Sequence, residues 1–368
     1  MFSEETLYAI ALRHCLLIGD FYFKKLISAA GSAKDAWLLS KKELKKQYGI
    51  GDKISGEIGK DTYLLFAEKE LQFCLQNNIK ILLSHRKELP GLLNECDDAP
   101  AILYQKGTFS DNTNISIVGT RKTSRYGKEF IADFLHQLKD NHIQTISGLA
   151  LGADTHVHEE SLKNNIPTTA VLAHGFQTIY PSANKNLAEK ILENGGCLFT
   201  EFNSSRDPIR ESFIQRNRII AGISPTTIIT ETAYGGGSVS TANFANLYNR
   251  EVLALPGPID YKYSQGCNLL ISQNKARIIS SVPEAIEYLG LSAEKTKQLS
   301  LFDTQEVLKS LTPEQALVLT TITNSSPINP DEISEKTALP VYRILPVILD
   351  LELLGYIRAT SGRQYRPT

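Results

Sequence analysis

The chain has 368 residues, of which 42% are hydrophobic and 21% charged, with a formal charge of −1. That length suits about two or three domains, and the apolar share is ordinary for a globular protein with a sizeable core. The near-neutral balance excludes a general electrostatic affinity for nucleic acid, so any basic site must be local.

The N-terminus, MFSEETLYAIALRHCLLIG, places acids before its apolar part and has no small-residue cleavage site, so it does not read as a signal peptide. The apolar runs fall well short of the ~20 residues that a membrane span needs. Cys15, Cys74, Cys96, Cys197 and Cys267 are scattered with no CxxC pair. That spacing argues against zinc or a disulfide framework and for reduced, buried thiols in a cytoplasmic protein.

Residues 1–75 are predicted to form a helical domain. Apolar side chains recur at helical spacing through Leu7, Ile10 and Ala11 and again through Leu64, Leu65 and Leu71. Between them, residues 48–58 (YGIGDKISGEI) resemble a helix-hairpin-helix or SAM-like turn, whose amides can cradle a DNA phosphate. Lys41, Lys42, Lys45, Lys46, Lys53 and Lys60 crowd this region. The same lysines also suit an ordinary solvated helical face.

Residues 76–290, with a core at 110–290, form the second predicted domain. Short β-branched runs alternate there with helical stretches, the pattern of a mostly parallel sheet with crossover helices. The predicted strands are Ile115–Val118, Ile143–Ile146, Thr168–Ala173, Cys197–Thr200, Thr226–Thr230, Val252–Leu255 and Arg277–Ile279. Helices are expected over Tyr126–Leu138, Thr155–Lys163, Leu187–Leu192, Phe213–Ala221 and Val239–Leu247. A polar linker at 291–310 precedes a last domain, 311–368. Thr312 and Pro313 suit a helix start. Two further helices and a hairpin turning at Ser361-Gly362 complete a winged-helix pattern. Pro346 is expected to kink the third of these helices or delay its start.

Open parallel sheets bind ligands beyond the carboxyl ends of their strands, and here those ends are rich in glycine. Gly119-Thr120-Arg121, Ser147-Gly148, His174-Gly175 and the loop 235–238 (GGGS) stand there, where backbone amides can approach an anion. Two nucleotide fingerprints fail. TRKTSRYG follows Gly119 with bulky residues where a dinucleotide site needs glycine, and the spacing does not fit a P-loop. No cofactor is therefore expected. Arg121, with Lys122 and Arg125 beside it, Lys185, and Arg216 and Arg218 around Asn217 are candidates for one basic edge, with Phe213 as an aromatic. Arginines, glycine amides and a ring suit a flexible sugar-phosphate chain. The arginines equally suit structural pairs with Glu201, Asp207, Glu211 and Glu231. Asp154, His156 and His158 do not form a metal site at that spacing, because residues two apart point to different faces of a helix. Asp154 is read as the cap of a helix from Thr155. Glu201 and Glu231 are the alternative catalytic pair, with no nucleophile at an evident spacing.

Together these motifs resemble the DNA-processing protein A (DprA, also called Smf) family. The resemblance runs in order through 117–127 (IVGTRKTSRYG), 147–158 (SGLALGADTHVH), 171–188 (VLAHGFQTIYPSANKNLA), 198–202 (LFTEF), 213–224 (FIQRNRIIAGIS), 231–242 (ETAYGGGSVSTA), 250–257 (REVLALPG) and 264–271 (SQGCNLLI). It implies a Rossmann-like doubly wound domain with helical and winged-helix flanks. It also implies a single-stranded DNA-binding, non-catalytic protein of natural transformation that self-associates, as a homodimer, and helps load a RecA-type recombinase. By motif match it points to Arg121, Lys185, Arg216, Asn217, Arg218, Gly237, Ser238 and Thr241, and with Gly119, Thr120, Ser124, Gly148 and Phe213 these are the expected DNA-binding residues. Leu151, Ile214, Gln215 and Gly236 depart from the family pattern and dilute its positive charge. The competing reading is a phosphoribohydrolase of the Lonely-guy type, which needs an acid after the glycine loop. Residues 235–250 (GGGSVSTANFANLYNR) contain none. A duplex-reading winged helix is disfavoured because residues 311–368 hold five Lys/Arg against six Asp/Glu.

Overall fold

The computed structural model describes residues 2–48, 50–110, 112–291, 311–326, 328–360 and 364–367. Apart from Leu291, the predicted linker lies outside the described residues, as does the predicted turn at Ser361-Gly362. The chain divides into two compact units, 1–293 and 294–368.

The first unit begins with α1 (Glu4–His14), α2 (Asp20–Ala30), α3 (Ala33–Leu38), α4 (Lys41–Tyr48), α5 (Asp52–Ser55) and α6 (Asp61–Gln76). Ser3 and Ser32 cap α1 and α3 by accepting a first-turn amide hydrogen. Leu12, Phe23, Leu26 and Trp37 bury in one core with Ile79, Ile81, Ile102 and Tyr104. The last four belong to β1 (Ile79–Leu83) and β2 (Ile102–Gly107). The helical segment thus shares its core with one edge of the sheet, and the boundary expected at residue 75 falls inside a single unit. α4 and α5 flank the Gly-Ile-Gly segment, of which Gly49 lies outside the described residues. Lys45 and Lys60 there form exposed pairs with Asp52 and Glu57 at 2.8 and 2.6 Å.

The strands that follow are β3 (Thr113–Val118), β4 (Ile143–Ser147), β5 (Thr168–Val171), β6 (Cys197–Thr200), β7 (Thr226–Ile229), β8 (Glu251–Ala254) and β9 (Arg277–Ile278). All seven match predicted strands to within two residues at either end. The sheet order is β1-β2-β6-β5-β4-β3-β7-β8-β9. Pairings from β6 through β9 are parallel. β1 and β2 add an antiparallel edge on β6 that the sequence reading does not anticipate. Residues 84–101 join them without the two-residue turn that marks a hairpin.

Both faces of the sheet are covered. Val118, Ile146, Phe199 and Ile229 pack under α11 (Arg210–Ile223) and α12 (Gly237–Leu247), where Ile219, Ile220, Ala242 and Ala245 are buried. Ile115, Ile117, Ile143 and Ile228 pack on the opposite side under α8 (Arg125–Gln137) and α9 (Ala153–Lys163). Neighbours such as Ile117 and Val118 face opposite sides because strand side chains alternate. Smaller helices complete the layers: α7 (Gly91–Asn94), α10 (Lys185–Glu193), α13 (Gln265–Ser272) and α14 (Val282–Tyr288). From β3 the chain winds outward through β4, β5 and β6, then crosses back to β7, β8 and β9. The order therefore reverses between β3 and β7, the place where such sheets open a crevice.

The second unit holds α15 (Pro313–Ser325), α16 (Pro330–Thr337), α17 (Val341–Leu353) and the antiparallel pair β10 (Ile357–Thr360) and β11 (Gln364–Pro367), a winged-helix arrangement. Thr312 and Gln315 form a capping box ahead of α15. Ile322, Ile333, Ile344, Ile348, Leu351 and Ile357 make its core. Pro346 neither delays α17 nor ends it. It lies on the exposed side, where water can satisfy the carbonyl that its missing N–H leaves free. No described helix in either unit is long and apolar enough to cross a membrane.

Candidate nucleic-acid interface

A crevice of about 380 Å³ opens at the reversal point. Its walls come from the turn after β3, the segment after β4, one face of α11, the segment after β7 and the start of α12. It gathers Gly119, Thr120, Arg121, Phe213, Arg216, Asn217, Gly237, Ser238 and Thr241 from the predicted set. Lys122, Ala150, Asp154 and Tyr263 join them.

Two glycines are sterically required. A Cβ on Gly119 would stand 2.3 Å from Thr230 Oγ1, so only glycine lets the β3 turn close onto β7. A Cβ on Gly148 would stand 2.6 Å from the Arg216 guanidinium and from Asp154 Oδ2. Gly148 therefore makes room for the crevice floor rather than lining it.

Arg216 is that floor. It is only 3% exposed, and its Nη1 donates to the carbonyls of Gly148 (2.6 Å) and Val171. Burial lowers its pKa to about 10, with Asp154 working to hold it up and Arg121 pushing it further down. It remains a cation at neutral pH, locked by carbonyls. Burial pushes the Asp154 carboxyl above the usual range, against the pull of Arg216. Asp154 is not the helix cap that the sequence suggests. It lies inside the first turn of α9 and accepts the Ala150 amide hydrogen at 3.2 Å.

Arg121 and Lys122 differ from Arg216 in being exposed, and no described carboxylate forms an ion pair with either. The Arg121 guanidinium lies 5.3 Å from the Phe213 ring centroid and that of Arg216 5.9 Å from the same ring. Tyr180 meets Phe213 edge-on at 5.8 Å. Opposite, Asn217 Nδ2 donates to Gly237 O (3.2 Å) and Ser240 Oγ (3.0 Å), pinning the start of α12. No side chain caps that helix. Ser238 Oγ is buried there without a hydrogen-bond partner. The first amides of α12, at Gly237 and Ser238, a positive helix end and an unpartnered hydroxyl form a seat for an anion.

Four predicted residues stand elsewhere. Ser124 caps α8, and both its amide and its hydroxyl donate to Glu231, at 2.8 and 2.6 Å. Lys185 is exposed at the start of α10 and does not line the crevice. Gly148 lies beneath Arg216, as described. Arg218 is the substantive correction: it is buried on the other side of α11, paired with Asp20 (3.2 Å) and Glu201. Helical residues two apart are separated by about 200°, so Arg216 and Arg218 cannot share a face once 210–223 is a helix. The same argument separates the two histidines of α9. His158 is buried against Thr168 at 2.7 Å, its pKa lowered by burial to about 3, while His156 lies 3.7 Å from Glu159.

Tyr263 is the residue that the sequence reading missed. Lys262 Nζ lies 5.8 Å from its ring centroid, and Tyr261 meets it edge-on at 5.8 Å. The Tyr-Lys-Tyr alternation just after the Pro256-Gly257 strand end was the available signal. Glu201 and Glu231, the alternative catalytic pair, are both engaged, one by Arg218 and Gln215 and the other by Ser124.

Residues 80–290 match the family model described as DNA recombination-mediator protein A, and residues 303–363 match the DprA winged helix domain. The chain is 31% identical over 312 residues to Protein Smf of Escherichia coli (strain K12), a stretch that covers 83% of each chain. It is 35% identical over 194 residues to DNA processing protein DprA of Streptococcus pneumoniae, covering 52% of this chain and 68% of that one. Its fold is similar to the X-ray structure of the Streptococcus pneumoniae DprA, with a TM-score of 0.66 and 28% identity over 77% of this chain and 97% of the other. It is also similar to DNA processing protein A from Helicobacter pylori, solved for its single-stranded DNA binding mode, with a TM-score of 0.52 and 27% identity over 57% and 95%.

Proposed function

The chain belongs to the DNA recombination-mediator protein A family, and on that premise we propose that its crevice binds single-stranded DNA. Phosphates sit on Arg121, on Lys122 and in the seat formed by Gly237, Ser238 and Thr241. One base stacks near Phe213 and another on Tyr263. Gly119 and Thr120 bring the backbone close, while Arg216 supplies fixed positive potential from below. One observation carries the reading: exposed, unpaired cations face an uncapped helix start across a crevice flanked by aromatics. Such a groove tracks a backbone and accepts any base on its rings.

The strand-bound protein, in this reading, is a cytoplasmic homodimer that protects incoming single strands and helps a RecA-type recombinase to load on them. That part rests on the family resemblance. Binding without catalysis is favoured because Glu201 and Glu231 already hold partners.

The test is a fluorescence-anisotropy titration of the full chain with single-stranded and duplex oligonucleotides, beside a nucleoside-monophosphate hydrolysis assay. Preference for single strands with no hydrolysis supports the proposal. Hydrolysis, or equal binding of both DNA forms, rejects it.

A further inference from the structure

α11 separates the crevice from a second depression, on the opposite side of the helix. Phe213, Arg216, Asn217 and Ile220 face the crevice, while Gln215 and Arg218 face the depression with Asp20, Phe21 and Lys24. Arg218 is 6% exposed. Its Nη2 donates to Asp20 Oδ2 at 3.2 Å and to Glu201 Oε2.

Each of these carboxylates has further partners. Asp20, the first residue of α2, accepts Arg13 Nε at 2.9 Å and the Ala101 amide at 3.0 Å. Glu201, just after β6, accepts Gln215 Nε2 at 2.9 Å. Two arginines and two carboxylates therefore join α1, α2, the start of β2, the end of β6 and α11. Arg218 Nη1 and Glu201 Oε1 are buried without hydrogen-bond partners, so the cluster is balanced in charge but not fully satisfied. Removing one member of such a cluster leaves an uncompensated buried charge, whereas replacing a pair by apolar groups is tolerated.

We propose that Arg218 is a positioning residue for DNA binding. Clamped to Asp20 and Glu201, it sets the rotation of α11 that aims Phe213, Arg216 and Asn217 into the crevice. The N-terminal helices are thereby part of the binding apparatus, acting through Asp20, without touching the strand. The inference rests on the crevice reading given above.

The experiment compares full-length wild type with Arg218→Gln, Asp20→Asn and the double variant Arg218→Met, Glu201→Met. Oligonucleotide affinity is measured across a salt series, and hydrogen exchange is measured at residues 237–241. Arg218→Gln and Asp20→Asn should each weaken binding about tenfold, the scale of an unpaired buried charge transmitted to a site, with the salt slope unchanged. Both should speed exchange at the start of α12, which Asn217 pins and Arg218 does not reach. The apolar double variant should regain most of the affinity, although it lacks the guanidinium.

The proposal is overturned if Arg218→Gln flattens the salt slope by about 0.7, the share of one single-strand phosphate contact, while Asp20→Asn binds as tightly as wild type or tighter. It is also overturned if exchange at 237–241 is unchanged in both single variants. That arm needs no DNA, so failure of the clamp is distinguishable from failure of the crevice reading, which would show as wild type not binding at all.

Discussion

The crevice and the exposed face of α17 are two surfaces where a nucleic acid would be sought, and they differ in how their cations are used. Around the crevice, Arg121 and Lys122 are exposed without a described carboxylate partner. On α17, Arg343 is paired with Glu314 at 3.4 Å, and Asp350 and Glu352 follow it. The exposed face of α17 presents Tyr342, Leu345, Leu349 and Leu353, the first and last 76% and 78% exposed. A phosphate is drawn to cations that nothing else neutralises. Net charge hardly separates the two surfaces, because the whole chain is as close to neutral as its last unit. Pairing separates them.

The largest expected effect tests that difference directly. Arg121→Glu should weaken single-strand binding on the order of 100-fold, with a melting temperature little changed, because the reversed charge is exposed and the hydrophobic core is untouched. Undiminished binding would break the comparison. Phe213→Ala should weaken binding about tenfold and Tyr263→Ala slightly less, the range of one lost base stack, as read by anisotropy.

The salt dependence sharpens the count of contacts. With two or three phosphates neutralised, log affinity against log salt should fall with a slope of about −1.4 to −2. A flat response would remove the phosphates from the model. Asp154→Asn takes a negative charge from the crevice floor and should tighten binding about threefold. It should also lower the melting temperature, since Arg216 loses a countercharge that supports its ionised form. Smallest of all, Arg343→Glu on α17 should change oligonucleotide affinity less than about twofold, as for a surface cation already paired.

Much of the fold was legible because its signals are local. β-branched runs marked β3 through β9, and glycine-rich turns marked their carboxyl ends. β1 and β2 were not legible because the contacts that define them are with each other and with β6 across long stretches of chain. In the site, Gly119, Arg121 and the start of α12 could be read from strand ends and glycine loops. Arg218 is not legible as a buried residue, because adjacency to Arg216 along the chain suggests a shared direction that a helix denies. Tyr263 is not legible because its loop follows β8, two strands away from β3 in the sheet, and is joined to the segment after β7 by the hydrogen bond from the Thr232 amide to the Tyr263 carbonyl (2.6 Å).

The sequence by itself determined that the chain builds a parallel sheet with a glycine-lined, locally basic carboxyl edge, since alternation, turn chemistry and charge spacing are properties of neighbouring residues. Only the tertiary structure decided which basic residues remain unpaired. Arg121 follows the end of β3, and Arg218 lies within α11. One forms no ion pair with a described carboxylate, and the other is sealed between Asp20 and Glu201 from segments about 200 residues and 17 residues away. Whether a cation is free or spent depends on what the folded chain brings within a few ångströms of it, and no stretch of sequence around it contains that information.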